Sequence, residues 1–162
     1  MVLEKAKSIA VAIDGSVPAW EALKRAINMA LLLKLPLDVL HVIQVEKAGY
    51  FAFIDRHLQE EQETHAKKVL DEAVQRGQKA GVEVRTHLLA GEKEPSEAIV
   101  AFLEQARGIN FLVLGSHGHG FVGRQFLGSV TEQVLREVAH RGLPVSVLVV
   151  PAPPAEVAEA QK

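Results

Sequence analysis

Five short stretches rich in Val, Ile, Leu and Ala, at residues 8–14, 37–45, 82–90, 111–115 and 144–150, alternate with longer stretches whose apolar residues recur at helical spacing. This order of short β-rich runs and crossover helices is the signature of parallel strands, which need long connections and bury both faces. Right-handed crossovers then favour an α/β fold: an open, doubly wound, five-stranded parallel sheet in the order 3-2-1-4-5, with helices on both faces.

Local signals set the element boundaries. The first run ends on Asp14, with Gly15 for a turn and Ser16 as a helix cap. The helix that follows places Trp20, Leu23, Ile27, Ala30 and Leu31 on one face and Glu21, Lys24, Arg25 and Asn28 elsewhere, until Pro36 stops it. Residues 46–54, with Gly49, Tyr50, Phe51 and Phe53 and no clear period, read as a loop. A long charged helix is expected over 55–80. Its stripe of Leu58, Ala66, Val69, Leu70, Ala73 and Val74 lies mainly in the second half, so its first turns add little to the core.

The third run alternates Val82, Val84, Thr86 and Leu88 with Glu83, Arg85 and His87, which places it at a sheet margin. Pro95 suits the first turn of a third helix reaching about residue 107, and a fourth helix is expected over 129–140. The final PAPPAEVAEAQK is rich in proline and poor in bulk. The expected organisation is therefore one α/β domain over 1–151 and a mobile tail over 152–162.

Composition removes several function classes. With no cysteine among 162 residues there is no disulfide framework, zinc-thiolate site or thiol nucleophile. A formal net charge of −2 gives no general attraction to nucleic acid or anionic lipid, and 5% aromatic residues offer no base-stacking platform. Near the start of the chain, Glu4 and Asp14 bracket a short apolar run in a layout that fits neither a signal peptide nor a membrane span. The expectation is a cytoplasmic protein without nucleic-acid or membrane partners.

In an open parallel sheet, ligands sit beyond the carboxyl ends of the strands, where the strand order reverses. That singles out Asp14 to Ser16 after strand one and GSHGHGFVGRQFLGSVT after strand four. The glycines of the second segment let backbone N–H groups approach an anion, and Gly128 and Ser129 open a helix whose free amides and dipole favour negative charge. A serine before a helix is ordinarily only a cap; the glycine-rich run just upstream turns the reading toward a phosphate cradle. Gly118, Gly120 and Gly123 also satisfy GxGxxG, but strand five ends in Leu148, Val149 and Val150, with no carboxylate for a ribose, so a dinucleotide fingerprint is set aside. GxxxxGK[ST] is absent. His117 and His119 lack further ligands nearby in sequence, so no metal site is assigned to protein side chains. His41, His57, His65, His87 and His140 read as surface or satisfied core histidines.

Gly115, two residues, Gly118, nine residues, then Gly128 and Ser129 resemble the ATP-binding pattern of the universal stress protein family. The resemblance runs from Ser8 to Pro151 through AVAIDGS, LHVI, GEKEPSEAI and PVSVLVV, and departs from the usual pattern at Gly120 and Gly123 and in the HRGLP turn. It implies an ATP pocket with Asp14 near the ribose or base, Val42 lending its backbone to adenine, and Ala12 and Leu114 lining the adenine slot. It further implies Gly115, His117 and Gly118 beside the ribose and phosphates, Gly128, Ser129, Val130 and Thr131 on phosphate oxygens, and Mg²⁺ accompanying the triphosphate.

Strand five, which opens at Pro144 and ends at Val150, would be an edge with no lysine or internal proline to discourage pairing. A second copy across a two-fold axis is its simplest cover, and the resemblance likewise implies a homodimer. The resulting expectation is a stress-response protein that binds ATP with little or no hydrolysis. The alternatives are a weak ATPase or nucleotidyl transferase using His117 or Asp14, and a nucleotide-free interaction module.

Overall fold

The computed structural model describes residues 6–45, 52–91, 93–118 and 127–152, with the backbone alone at 52–55. The elements run β1 (Ser8–Ala12), α1 (Val17–Leu33), β2 (Leu37–Gln44), α2 (Ala52–Ala80), β3 (Val84–Gly91), α3 (Pro95–Gln105), β4 (Ile109–Gly115), α4 (Ser129–Arg141) and β5 (Ser146–Val150). All neighbouring strands are parallel and the order is β3-β2-β1-β4-β5, as the alternating pattern predicts.

The pleat sorts the strand residues onto two cores. Ile9, Val11, Leu37, Val39 and Val113 pack with α1 and with Val69, Leu70 and Ala73 of α2. Ala10, Leu40, Leu112 and Leu114 pack on the other face against Ile99 and Leu103 of α3 and Val134 and Val138 of α4. Because β1, β2 and β4 are covered on both sides, their sequences are almost continuously apolar. α2 contributes to the core from Ala66 onward while its earlier described side chains are exposed or half-buried, as the position of its apolar stripe predicts.

Several boundaries differ from the sequence expectation. α2 already begins at Ala52, within the stretch expected to be a loop; residues 46–51 lie outside the described residues, as does the expected tail beyond Ala152. β1 stops at Ala12, after which Ile13 still donates to Leu40 O at 2.9 Å before the chain turns. β3 starts at Val84 because Val82 closes the end of α2, its N–H donating to Gly77 O at 2.9 Å. β5 starts at Ser146, since Pro144 has no N–H to give to a ladder. α1 and α4 end on left-handed residues, Lys34 at φ 55 and Gly142 at φ 60, whose N–H groups bond back to the last turn.

One buried charge ties the half-sheet together. Asp38, the second residue of β2, has a side chain only 6% exposed. Its Oδ2 accepts from Arg85 at 2.9 Å and its Oδ1 from His87 at 2.8 Å, both on β3, and Ser8 of β1 adds a further hydrogen bond. The His87 ring in turn packs in a tilted arrangement against Phe102 of α3, with ring centroids 4.7 Å apart. Burial alone would raise the Asp38 carboxyl, but the bonds from Ser8, His87 and Arg85 together hold it below its ordinary 3.8.

A group held below its unfolded value stabilises the fold above that value, and the contribution disappears as pH falls through the folded one. The Asp38→Asn variant should therefore be less stable than the parent at neutral pH by about 1–3 kcal/mol. The difference should shrink as pH drops below 3.8. Urea denaturation of both proteins across that range checks the magnitude and the trend.

Candidate functional site

The carboxyl ends of β1, β2 and β4, together with the first turns of α3 and α4, enclose a cleft of about 440 Å³, within the usual range of small-molecule sites. Its inner part is an apolar slot made by Ala12, Leu40, Val42, Ile99 and Leu114. Its outer part is backbone-rich, with Gly115, His117, Gly118, Gly128, Ser129, Val130 and Thr131. Among the described lining residues, the ionisable side chains are Asp14 and His117.

Asp14 follows β1 in a tight turn. Its Oδ1 accepts from the backbone N–H of Ser16 at 2.9 Å and from the Ser16 hydroxyl at 2.5 Å. Ser16 Oγ also accepts from Ala19 N at 3.4 Å, capping α1, so the same local bonding that starts the helix orients the carboxylate. Gly15 makes the turn at φ +84, where a side chain is strained, and it lies against Val69 and His65 of α2.

The loop after β4 is tied back at several points. Ser116 N–H donates to Val150 O of β5 at 2.8 Å, and Gly128 N–H donates to Ser116 O at 2.7 Å. The Thr131 hydroxyl donates to Gly115 O at 2.8 Å. These bonds bring the start of α4 onto the end of β4. The N-cap of α4 is Gly128, which makes no side-chain cap bond, and Gly128, Ser129, Val130 and Thr131 line the cleft, at the end of a helix where the first amides have no carbonyl partner within the helix. Such amides at the positive end of a 13-residue helix suit an anion.

Every site residue singled out from sequence borders this one cleft: Ala12, Asp14, Val42, Leu114, Gly115, His117, Gly118, Gly128, Ser129, Val130 and Thr131. The structure refines two of them. The hydroxyl hydrogen of Thr131 is committed to Gly115, so toward an anion this residue offers its backbone N–H. Ser129 is exposed and serves as the first residue of α4 rather than its cap. Gly120, Gly123, His119 and Arg124 lie outside the described residues. Leu40, Pro95, Ile99 and Leu127 line the cleft but were not read from sequence; Pro95 was legible as a helix start, and its placement beyond the end of β3 was the available signal.

A family model described as the universal stress protein family matches residues 5–151. The chain belongs to this family. It is 33% identical over 140 residues to Universal stress protein MJ0531 of Methanocaldococcus jannaschii, covering 83% of this chain and 78% of that one. Some longer curated relatives are spanned over less than half of their length. Among solved structures, protein MJ0577 superposes with a TM-score of 0.77 at 26% identity, covering 94% of this chain and 100% of that one. A universal stress protein from Archaeoglobus fulgidus in complex with dAMP superposes at 0.65 with 26% identity, over 93% and 99% of the two chains.

Within this family member, the crowding around Gly118 and Gly128 is specific. A Cβ built on Gly118 collides with Asp14 Oδ2, and one on Gly128 comes within 2.9 Å of His117 Cα. Gly118→Ala should therefore displace the Asp14 carboxylate while the fold stays intact. A crystal structure of the variant, with far-UV circular dichroism as the fold control, should show the carboxylate moved; an unmoved Asp14 would contradict the contact.

Proposed function

We propose that the chain binds ATP, with Mg²⁺, in the cleft at the ends of β1 and β4, and uses its occupancy to bias conformation or partner choice under stress, with little or no hydrolysis. One observation carries the reading: uncapped first-turn amides of α4 and the glycines at the end of β4 converge on a cleft whose other end is an apolar slot. A flat base suits the slot, with the Val42 backbone available to its edge. An anionic tail suits the amides of Gly128, Ser129, Val130 and Thr131. Asp14 and His117 also line the cleft and offer polar groups suited to a ribose. The dAMP held by the Archaeoglobus relative supports a nucleotide as the ligand class.

The residues present also fit the cation. Among the described residues no group of three or more His, Asp or Glu gathers to hold a metal, so a cation would rely on Asp14 and the phosphates together. Mg²⁺ commonly binds in this way, through one or two carboxylates and substrate phosphates. Its chemistry here would be to neutralise the triphosphate beside the Asp14 charge.

Hydrolysis needs a positioned base or water-orienting group and a cation on the terminal phosphates. Among the described lining residues, Asp14 and His117 are the side chains that an enzymatic reading would have to use. Purified protein incubated with labelled ATP and Mg²⁺ and then desalted should retain intact ATP. Released ADP or AMP would favour an enzyme, and no retention would leave an interaction module.

We also propose a homodimer through β5. It is an edge of the sheet, and Leu148 is 44% exposed on it. Val147 is a poor place to probe this because it packs into the core beside α4, whereas Leu148 points away from it. Leu148→Lys should convert dimer to monomer in sedimentation velocity while far-UV circular dichroism stays that of the parent; an unchanged sedimentation profile would count against pairing at this edge.

A further inference from the structure

The slot and the amide end of the cleft are carried by different helices. Pro95 and Ile99 of α3 form one wall of the slot, and the first turn of α4 forms the amide end. The two helices start on the same side of the sheet, so their lateral separation sets the length of ligand that can touch both ends.

Two side-chain ties join them. Far from the cleft, Arg141 of α4 bonds Glu104 of α3 at 2.9 Å, with both side chains well exposed, an arrangement that contributes little. Beside the cleft, Ser96 lies between the two wall residues and is 3% exposed, and its hydroxyl donates to Gln133 Oε1 of α4 at 2.7 Å. The first turn of α3 has no side-chain cap of its own, since its N-cap Glu94 makes no such bond. Ile99 and Leu103 of α3 pack with Val134 and Val138 of α4 along the helices, and the buried Ser96 hydroxyl adds a directional tie at this first turn.

We infer that Ser96 and Gln133 are a positioning pair that presets the distance between the slot wall and the α4 amides, so that the cleft favours ligands filling both ends at once. The inference rests on the nucleotide reading given above. A ligand that spans both ends gains from a spacing already in place, because no ordering of the walls is needed on binding. A ligand that touches one end gains nothing from it.

The test is calorimetric titration with ATP and Mg²⁺ and, separately, with adenosine. Ser96→Ala and Gln133→Ala should each weaken ATP binding about three- to tenfold, the effect of one neutral hydrogen bond, and leave adenosine binding unchanged. The double variant should be no worse than either single one, since both remove the same bond. Ser96→Thr, which keeps the hydroxyl, should restore the ATP-to-adenosine ratio, and Arg141→Ala should leave it at the parent value. Gln133 is exposed, so its variant keeps the test open if Ser96→Ala folds poorly. Equal loss for ATP and adenosine, or no loss for either, overturns the pair while the nucleotide reading stands. A parent protein that binds neither ligand overturns both.

Discussion

The cleft depends on the closure of the segment after β4. Gly128 N–H donates to Ser116 O and the Thr131 hydroxyl to Gly115 O, so the chain that leaves β4 is drawn back to start α4 beside the same strand end. Without that closure the first-turn amides of α4 would point into solvent, where water satisfies them at no gain. With it, they share one enclosed space with an apolar slot and a carboxylate already oriented by Ser16. The glycines matter here through crowding: at Gly118 the space a side chain would need is occupied by Asp14.

The sheet makes this closure possible. β1 and β4 lie side by side at the centre, and the crossovers from them pass to opposite faces, α1 on one side and α4 on the other. The gap this leaves at their carboxyl ends is a consequence of topology. Asp38 secures the opposite end of the half-sheet, binding β2 to β3 through Arg85 and His87 and reaching β1 through Ser8. The register that brings Leu40 and Val42 to the slot is thus held by a charge buried two and four residues earlier in the same strand.

Strand order and the glycine-rich end of β4 were legible because they depend on local chemistry, the alternation of short and long apolar periods and the spacing of glycines. Asp38 was not, because a lone carboxylate inside LPLDVLHV has no local partner; Arg85 and His87 are supplied by a strand 47 and 49 residues away. Pro95 and Ile99 were missed as cleft residues for the same reason, being brought there by the placement of α3. The true start of α2 at Ala52 was hidden by the aromatic and glycine residues before it, which mask helical periodicity. The bond from the Thr131 hydroxyl to Gly115 O was not legible either, because its partner, a carbonyl oxygen, leaves no trace in a sequence.

α2 is 29 residues long, yet the sheet occupies it only from Ala66 onward. Its leading turns are held by their own backbone bonds and by local pairs such as Gln59 with Glu63, which makes them an outrigger beside the Gly15 turn. Natural variation can rewrite the charges of that outrigger without disturbing the packed layers beneath. A shared scaffold can in this way acquire different surface identities at little thermodynamic expense.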